Sequence, residues 1–195
     1  MITRFDTRGW LRWVGSFIGF PLAGLAAKAV TGPIDSTVAA VVGGLAAGAV
    51  LGGVQALALR LDTGHRLAWA VATALGASAG LAAGSTSVDF ATDTSSLVTM
   101  GALTGLGIGV AQAAVMVGSL LRRTIWAVAT PMLWAIGWLI TSQVIVDVDA
   151  QYAIFGASGA LVVTLLGGAV LTVRPASSDS PTSAVGARHS LSGVR

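Results

Sequence analysis

Gln55 and Gln112 are the residues best placed for chemistry inside this chain, because each closes the same run of small residues, GxxxGxxxGxxQA. The first run holds Gly44, Gly48, Gly52 and Gln55, and the second holds Gly101, Gly105, Gly109 and Gln112. On a helix the positions i, i+4, i+8 and i+11 share one face, so each amide extends a glycine stripe. Glycine stripes let backbones approach closely, and an amide can then hydrogen-bond across the contact. The spacing predicts that the second and fourth helices pack through these stripes, with the two Gln locking them. The alternative is that Gln55, Gln112 and Thr104 line a polar path or touch a substrate. Thr73, Ser78 and Thr130 are the other polar side chains expected within the apolar stretches.

Other chemistries lack their residues. With no Cys there is no thiolate nucleophile, sulfur-ligated metal or disulfide. The two His, His65 and His189, fall outside the apolar stretches, which leaves no multi-His metal site and no buried His base. No G-x-S-x-G elbow, Walker loop or dinucleotide fingerprint occurs. No catalytic residue, metal or cofactor is therefore expected. All eight acidic residues are Asp. Asp35, Asp93 and Asp149 precede even-numbered helices, and Asp6 and Asp62 precede odd ones, so their predicted role is helix N-capping. Asp89, Asp147 and the tail residue Asp179 are left over, and Asp89 and Asp147 with Asp35, Asp93 and Asp149 offer weak attraction for a cation at the external mouth of the bundle. No Asp, Glu, Arg or His falls well inside an apolar stretch, which argues against a proton-driven pump. Lys28 sits near a helix end, where it can snorkel or pair with a loop Asp.

The elements that must position the glutamines are membrane spans. The chain is 54% hydrophobic and 10% charged with 26 Gly among 195 residues, outside the range of soluble domains. Stretches of about 20 apolar residues should be helices, since hydrocarbon leaves no other partner for the backbone. Six are predicted: Trp10 to Val30, Thr37 to Leu59, Arg66 to Gly84, Ser96 to Leu121, Thr124 to Val146 and Ala150 to Val173. The fold class is all-α, a polytopic six-helix bundle, preceded by a cytoplasmic segment at 1–9. A disordered cytoplasmic tail is expected over 175–195, rich in Ser, Ala and Gly.

The six helices read as three parallel hairpins at 10–60, 66–121 and 124–174. The odd helices begin at Trp13, Trp69 and Trp126, and each has a glycine at the same later position, Gly24, Gly80 and Gly137. The third even helix is a degraded copy, with Gly156, Ala160 and Thr164 on the stripe and Gly167 in place of the Gln. Three such hairpins can close into a pseudo-threefold bundle or pack irregularly. Trp13, Trp69 and Trp126, with Trp10, fall near one predicted interface and are expected to anchor there as an aromatic belt. Trp134 and Trp138 lie about 12 and 18 Å further along their helix, either facing lipid or walling a cavity. Pro131 should bend that helix slightly.

Arginines sort to one side. Arg4, Arg8 and Arg12 lie at the start of the first span, Arg60 and Arg66 flank the second loop, Arg122 and Arg123 form the fourth, and Arg174 closes the last span. Basic residues stay on the cytoplasmic face, so both termini are expected there. The first span can alternatively be read as a signal peptide ending Ala27-Lys28-Ala29. Retention is favoured, because cleavage would remove half of a hairpin that matches the others.

The GxxxGxxxGxxQ helices with Trp-led partners resemble a loose group of uncharacterised small glycine-rich bacterial integral membrane proteins, over residues 10 to 173. That resemblance implies a bacterial plasma membrane and no particular activity or functional residue. The expected function is a non-enzymatic structural or partner-binding role through the glycine seams, the alternative being a small-solute or lipid pathway not coupled to protons. The expected partners are membrane lipids and either another membrane protein or a second copy. Nucleic acid is not expected, since the Arg pattern is explained by topology and no recognition motif accompanies it.

Overall fold

A computed structural model describes residues 3–144 and 157–175. The helices start where short polar side chains satisfy free N–H groups. Asp6 accepts from Gly9 N at 2.9 Å and opens α1 (Thr7–Gly15), which runs through a 3-10 turn (Ser16–Ile18) into α2 (Gly19–Thr31). Asp62 opens α4 (Thr63–Ser87) and Asp93 opens α5 (Thr94–Val115). Asp93 accepts from the backbone and hydroxyl groups of both Ser95 and Ser96, and these bonds hold its carboxyl well below the usual carboxylate range. Asp35 departs from the expectation. α3 (Thr37–Ala58) is capped by Ser36, whose hydroxyl accepts from Ala39 N at 3.3 Å, while Asp35 stays exposed. The position next to the first helical residue is the one whose side chain reaches N2 or N3, and Ser36 occupies it.

Two helices end in the same hydrogen-bonded reversal. Leu61 N donates to Ala56 O and Arg60 N to Leu57 O after α3; Phe90 N donates to Ser85 O and Asp89 N to Thr86 O after α4. Arg60 and Asp89 take the left-handed conformation this motif requires, with φ of 55° and 50°. Leu61 then folds back onto the core beside Ala56, completing the motif's apolar contact.

The fourth and fifth spans differ from their predicted bounds. α5 stops at Val115, Met116 is extended and buried, Gly118 has φ of +143°, and α6 (Leu120–Val144) begins after Ser119. Arg122 and Arg123 thus lie in the first turn of α6 rather than in a loop. α7 (Ala157–Thr172) is the described part of the sixth span. Asp147, Asp149, Gly156 and the tail from residue 176 lie outside the described residues. Two short strands, β1 (Thr3–Phe5) and β2 (Val173–Pro175), pair antiparallel with Arg4 opposite Arg174.

Each helix packs on its sequence neighbours, and α7 returns to α1, so the chain closes as a ring of helices. The glycines set the spacing. A Cβ on Gly48 would lie 2.6 Å from Ala74 Cα and 2.6 Å from Thr73 O, and one on Gly44 2.6 Å from Ser78 Cα. The second stripe behaves alike: a Cβ on Gly105 would lie 2.9 Å from Pro131 Cα, and one on Gly109 2.8 Å from Thr130 Cβ. The stripe of α3 therefore faces α4, and that of α5 faces α6. This corrects the expectation that the two stripes face each other. Gly76, Gly80 and Gly84 of α4 serve the α4–α5 contact in the same way, against Gly107, Thr104 and Met100.

The interior is built mostly from Ala, Gly, Thr, Ser, Gln and Trp, with a few larger aliphatic residues such as Leu51, Leu97, Ile108 and Leu171, whereas Leu22, Leu57, Val71, Leu75, Val110 and Val128 face outward. An exterior more apolar than the interior is stable only against hydrocarbon. Five helical stretches are long and apolar enough to cross a membrane: Thr7–Thr31, Thr37–Ala58, Thr63–Ser87, Thr94–Val115 and Leu120–Val144. The architecture fits a polytopic helical membrane protein.

Backbone contact at the glycines makes a sharp contrast between sites. Gly48→Ala and Gly80→Ala should each destabilise the bundle by about 1–3 kcal/mol, because the added methyl meets backbone that cannot move alone. Gly53→Ala should be neutral or stabilising by about 0.5–1 kcal/mol, since nothing lies within 4 Å of its Cβ position. Unfolding of the three variants in bicelles checks this, and equal effects would remove the packing argument.

Candidate functional site

Gln55, Gln112, Trp69, Trp126 and Thr73 meet at the Arg-bearing end of the bundle in one hydrogen-bonded network. Trp69 Nε1 donates to Gln55 Oε1 at 3.3 Å, and Trp126 Nε1 donates to Gln112 Oε1 at 2.9 Å. Gln112 Nε2 donates to Gln55 Oε1 and to Thr73 Oγ1, both at 2.9 Å. The Thr73 hydroxyl in turn donates to Trp69 O at 2.7 Å. Chemistry alone orders this chain. An indole has only a donor, so each Gln must turn its oxygen to its Trp, which leaves the Gln112 nitrogen free to donate sideways.

The helices α3 to α6 bring these groups together because both Gln continue the stripes that hold their helices against the Trp-bearing partners. Each Gln meets the Trp that lies 14 residues later. Thr73 and Thr130 also correspond: each donates 2.7 Å to the carbonyl of its own helix's tryptophan, four residues back.

The structure corrects the anchoring role expected of Trp13, Trp69 and Trp126. They are 4%, 3% and 4% exposed and form the core cluster with Ala56, Ala113, Met116 and Leu171. Side chains so enclosed cannot reach headgroups. Trp10 is half-buried and donates to Leu165 O at 3.1 Å, tying α1 to α7.

Trp13 breaks the pattern set by the other two. It packs edge-on against Trp126 at 5.8 Å, and its Nε1 is buried without a hydrogen-bond partner. A Cβ on Gly167 would lie 3.6 Å from that nitrogen. Gly167 is where the third stripe lacks its Gln, so the missing acceptor and the orphaned donor face each other. A small pocket of about 20 Å³ remains between Trp13, Gln55, Gln112, Thr164 and Gly167.

Above this network a cavity of about 170 Å³ lies on the bundle axis, walled by residues of all six spans. Thr104 lines it together with Thr141, Phe20, Leu51, Ile108 and Trp138. Trp134 also lines it, so both tryptophans beyond Trp126 are cavity walls rather than lipid-facing bulk. Phe20 and Trp134 touch at 5.8 Å between ring centres.

The remaining polar groups have local roles. Asp62 accepts from His65 N at 3.1 Å and pairs with the His65 ring at 2.6 Å, which lowers the carboxyl pKa, with both side chains exposed. Ser78 donates to Val41 O at 2.9 Å, a second tie between α3 and α4. Lys28 is exposed near the end of α2. Among the described residues no three Asp or His converge as metal ligands. No protein-family model, curated protein or solved structure matches the chain.

The network predicts two opposite stability effects. Gln112→Leu removes three bonds and leaves Trp126 Nε1 unpaired; at about 0.6 kcal/mol per bond in a membrane bundle, the loss should be about 2 kcal/mol. Gly167→Ser should instead stabilise by about 1 kcal/mol, by giving Trp13 an acceptor and by replacing a helical glycine. Unfolding free energies in bicelles decide both. A neutral Gln112→Leu would show that the network contributes nothing.

Proposed function

We propose that this chain is a non-enzymatic multi-pass protein of a bacterial plasma membrane with both termini cytoplasmic, serving a structural or partner-binding role. Its six spans are read as three parallel hairpin copies, the third degraded at Gly167, in keeping with the resemblance to small glycine-rich bacterial membrane proteins. The observation that carries this reading is the buried Gln55–Gln112–Trp69–Trp126 hydrogen-bond network. Amides that line a solute path must keep donors and acceptors turned toward water. Here both are 5% exposed or less and bonded to each other and to indoles, and the cavity above them is apolar in its walls. Those features favour a dry, rigid bundle over the polar pathway. The cytoplasmic placement of the network end rests on its Arg residues.

Single cysteines test the reading cleanly, because the chain has none. Gln55→Cys, Thr104→Cys and Gln112→Cys are placed beside Asp89→Cys and Ser178→Cys as outside and inside controls. In oriented vesicles a membrane-impermeant thiol reagent should modify the two controls from opposite faces and leave the three interior sites unmodified. Interior labelling at rates near the controls would reveal an aqueous path and overturn the proposal, and controls reacting from the same face would overturn the orientation.

A further inference from the structure

The charge at the Arg-bearing end exceeds what the helix ends use. The helices and turns there carry Arg8, Arg12, Arg60, Arg66, Arg122 and Arg123 against two carboxylates, Asp6 and Asp62. Both carboxylates have local work, Asp6 with Gly9 N and Asp62 with His65. Two of the arginines hold backbone: Arg66 Nε donates to Leu61 O after α3, and Arg122 Nη2 donates to Leu171 O in the last turn of α7. The guanidinium groups of Arg8, Arg12, Arg60 and Arg123 make no hydrogen bond or ion pair with any described residue.

These four are not equivalent. Arg60 lies in the reversal after α3, and Arg123 is half-buried in the first turn of α6. Arg8 and Arg12 stand four residues apart on α1, so they share one face at about 6 Å, and both are exposed. Two like charges at that spacing repel, and no carboxylate relieves them. Leu11 lies on the same face and is 56% exposed, while Trp13 turns into the core. Such a face matches the two parts of a phospholipid. A phosphate fits between two guanidinium forks, and the first methylenes of an acyl chain cover the leucine. A soluble phosphate would use the arginines and leave Leu11 bare. A zwitterionic lipid brings its own cation to its phosphate, whereas an anionic one neutralises the excess charge of the rim.

We propose that the outer face of α1 is a docking site for one anionic phospholipid, its phosphate held between Arg8 and Arg12 and its acyl chain laid along Leu11. The field of the rim, to which Arg60 and Arg123 contribute, adds to the preference for a negative headgroup. The site rests on the membrane reading of the chain, but on neither its orientation nor its dry interior.

The test titrates the full chain, in an uncharged detergent, with equal amounts of phosphatidylglycerol and phosphatidylcholine of the same acyl chains, and counts bound lipid by native mass spectrometry. The first lipid bound should be phosphatidylglycerol by about fivefold, the worth of one arginine near a membrane surface. Arg8→Gln/Arg12→Gln should bring the two lipids within about twofold of each other, whereas Arg60→Gln/Arg123→Gln, which removes the same charge, should keep a preference of at least about threefold. Glycerol 3-phosphate in excess should not displace the lipid. Equal binding of the two lipids by the unaltered chain would overturn the site. Equal losses in the two variants would overturn the role of α1 in favour of a diffuse field, and displacement by glycerol 3-phosphate would overturn the lipid in favour of a soluble phosphate ester. The lipid ratio and the displacement both use the unaltered chain, so they decide even if a variant fails to fold. Thiol labelling reads the interior and the orientation, which lipid counting in micelles does not touch, so the two proposals fail separately.

Discussion

An indole N–H donates and never accepts, and inside a bundle whose outer surface is Leu, Val and Ile no solvent waits to receive it. This constraint orders the Arg-bearing half of the molecule. Trp69 and Trp126 each require an acceptor, and Gln55 and Gln112 turn their oxygens to meet them. Once the oxygens are committed, the Gln112 nitrogen must find acceptors of its own, which it does at Gln55 Oε1 and Thr73 Oγ1. Reversing either amide would set donor against donor. The network therefore has one arrangement, and it fixes the register of α3, α4, α5 and α6 together. Pairs of apolar side chains would tolerate a slide along the helix axis; directional bonds of this kind do not.

Glycine makes that network reachable. Thr73 can accept from Gln112 while packing on α3 only because Gly48 and Gly52 let the backbones of α3 and α4 come within contact, and a methyl at Gly52 would sit 2.7 Å from Thr73 Cβ. Gly109 offers Thr130 the same clearance beside Gln112. The stripe and the amide that closes it act as one device: close approach along one face, then a directional bond at its end. Because each stripe faces the following Trp-bearing helix, the seams join the helices of one predicted hairpin to those of the next.

How much of this was legible in the sequence depends on the kind of signal. The helices were, because apolar length and the Asp6, Asp62 and Asp93 caps are local. The break at Met116–Ser119 was not: the apolar run continues through it, and only the positive φ of Gly118 and the inward turn of Met116 end the helix. Gln55 and Gln112 were recognisable as partners, yet the direction of their stripes was not, since a face on a helix does not name its neighbour. The tryptophans mislead for a physical reason. A Trp near an arginine-bearing helix end fits an aromatic belt and a buried donor equally well, and what distinguishes them is an acceptor. The Gln-to-Trp separation of 14 residues, present twice, was the available clue. Thr104 was singled out correctly as an interior polar residue, but its missing partner, and that of Thr141, exist only in three dimensions.

The cavity follows from the same geometry that closes the ring. Helices about 10 Å across, standing side by side in a closed ring of six, leave an axial gap of roughly one helix width. Gly and Ala seams narrow the contacts between neighbours but contribute little volume to the axis. Large side chains must fill it, and they are distributed unevenly. At the Arg-bearing end Trp13, Trp69 and Trp126 with two Gln amides fill the gap almost completely, leaving about 20 Å³ where Gly167 stands opposite Trp13. Further along, the axis is met by the large side chains Phe20, Leu51, Ile108, Trp134 and Trp138 but also by Ala23, Ala47, Ala77 and Ala160, and about 170 Å³ remains open. Packing alone would be improved by a larger residue at any of those alanines. Small residues there leave the axis open at the level where no large side chain of the ring reaches across it.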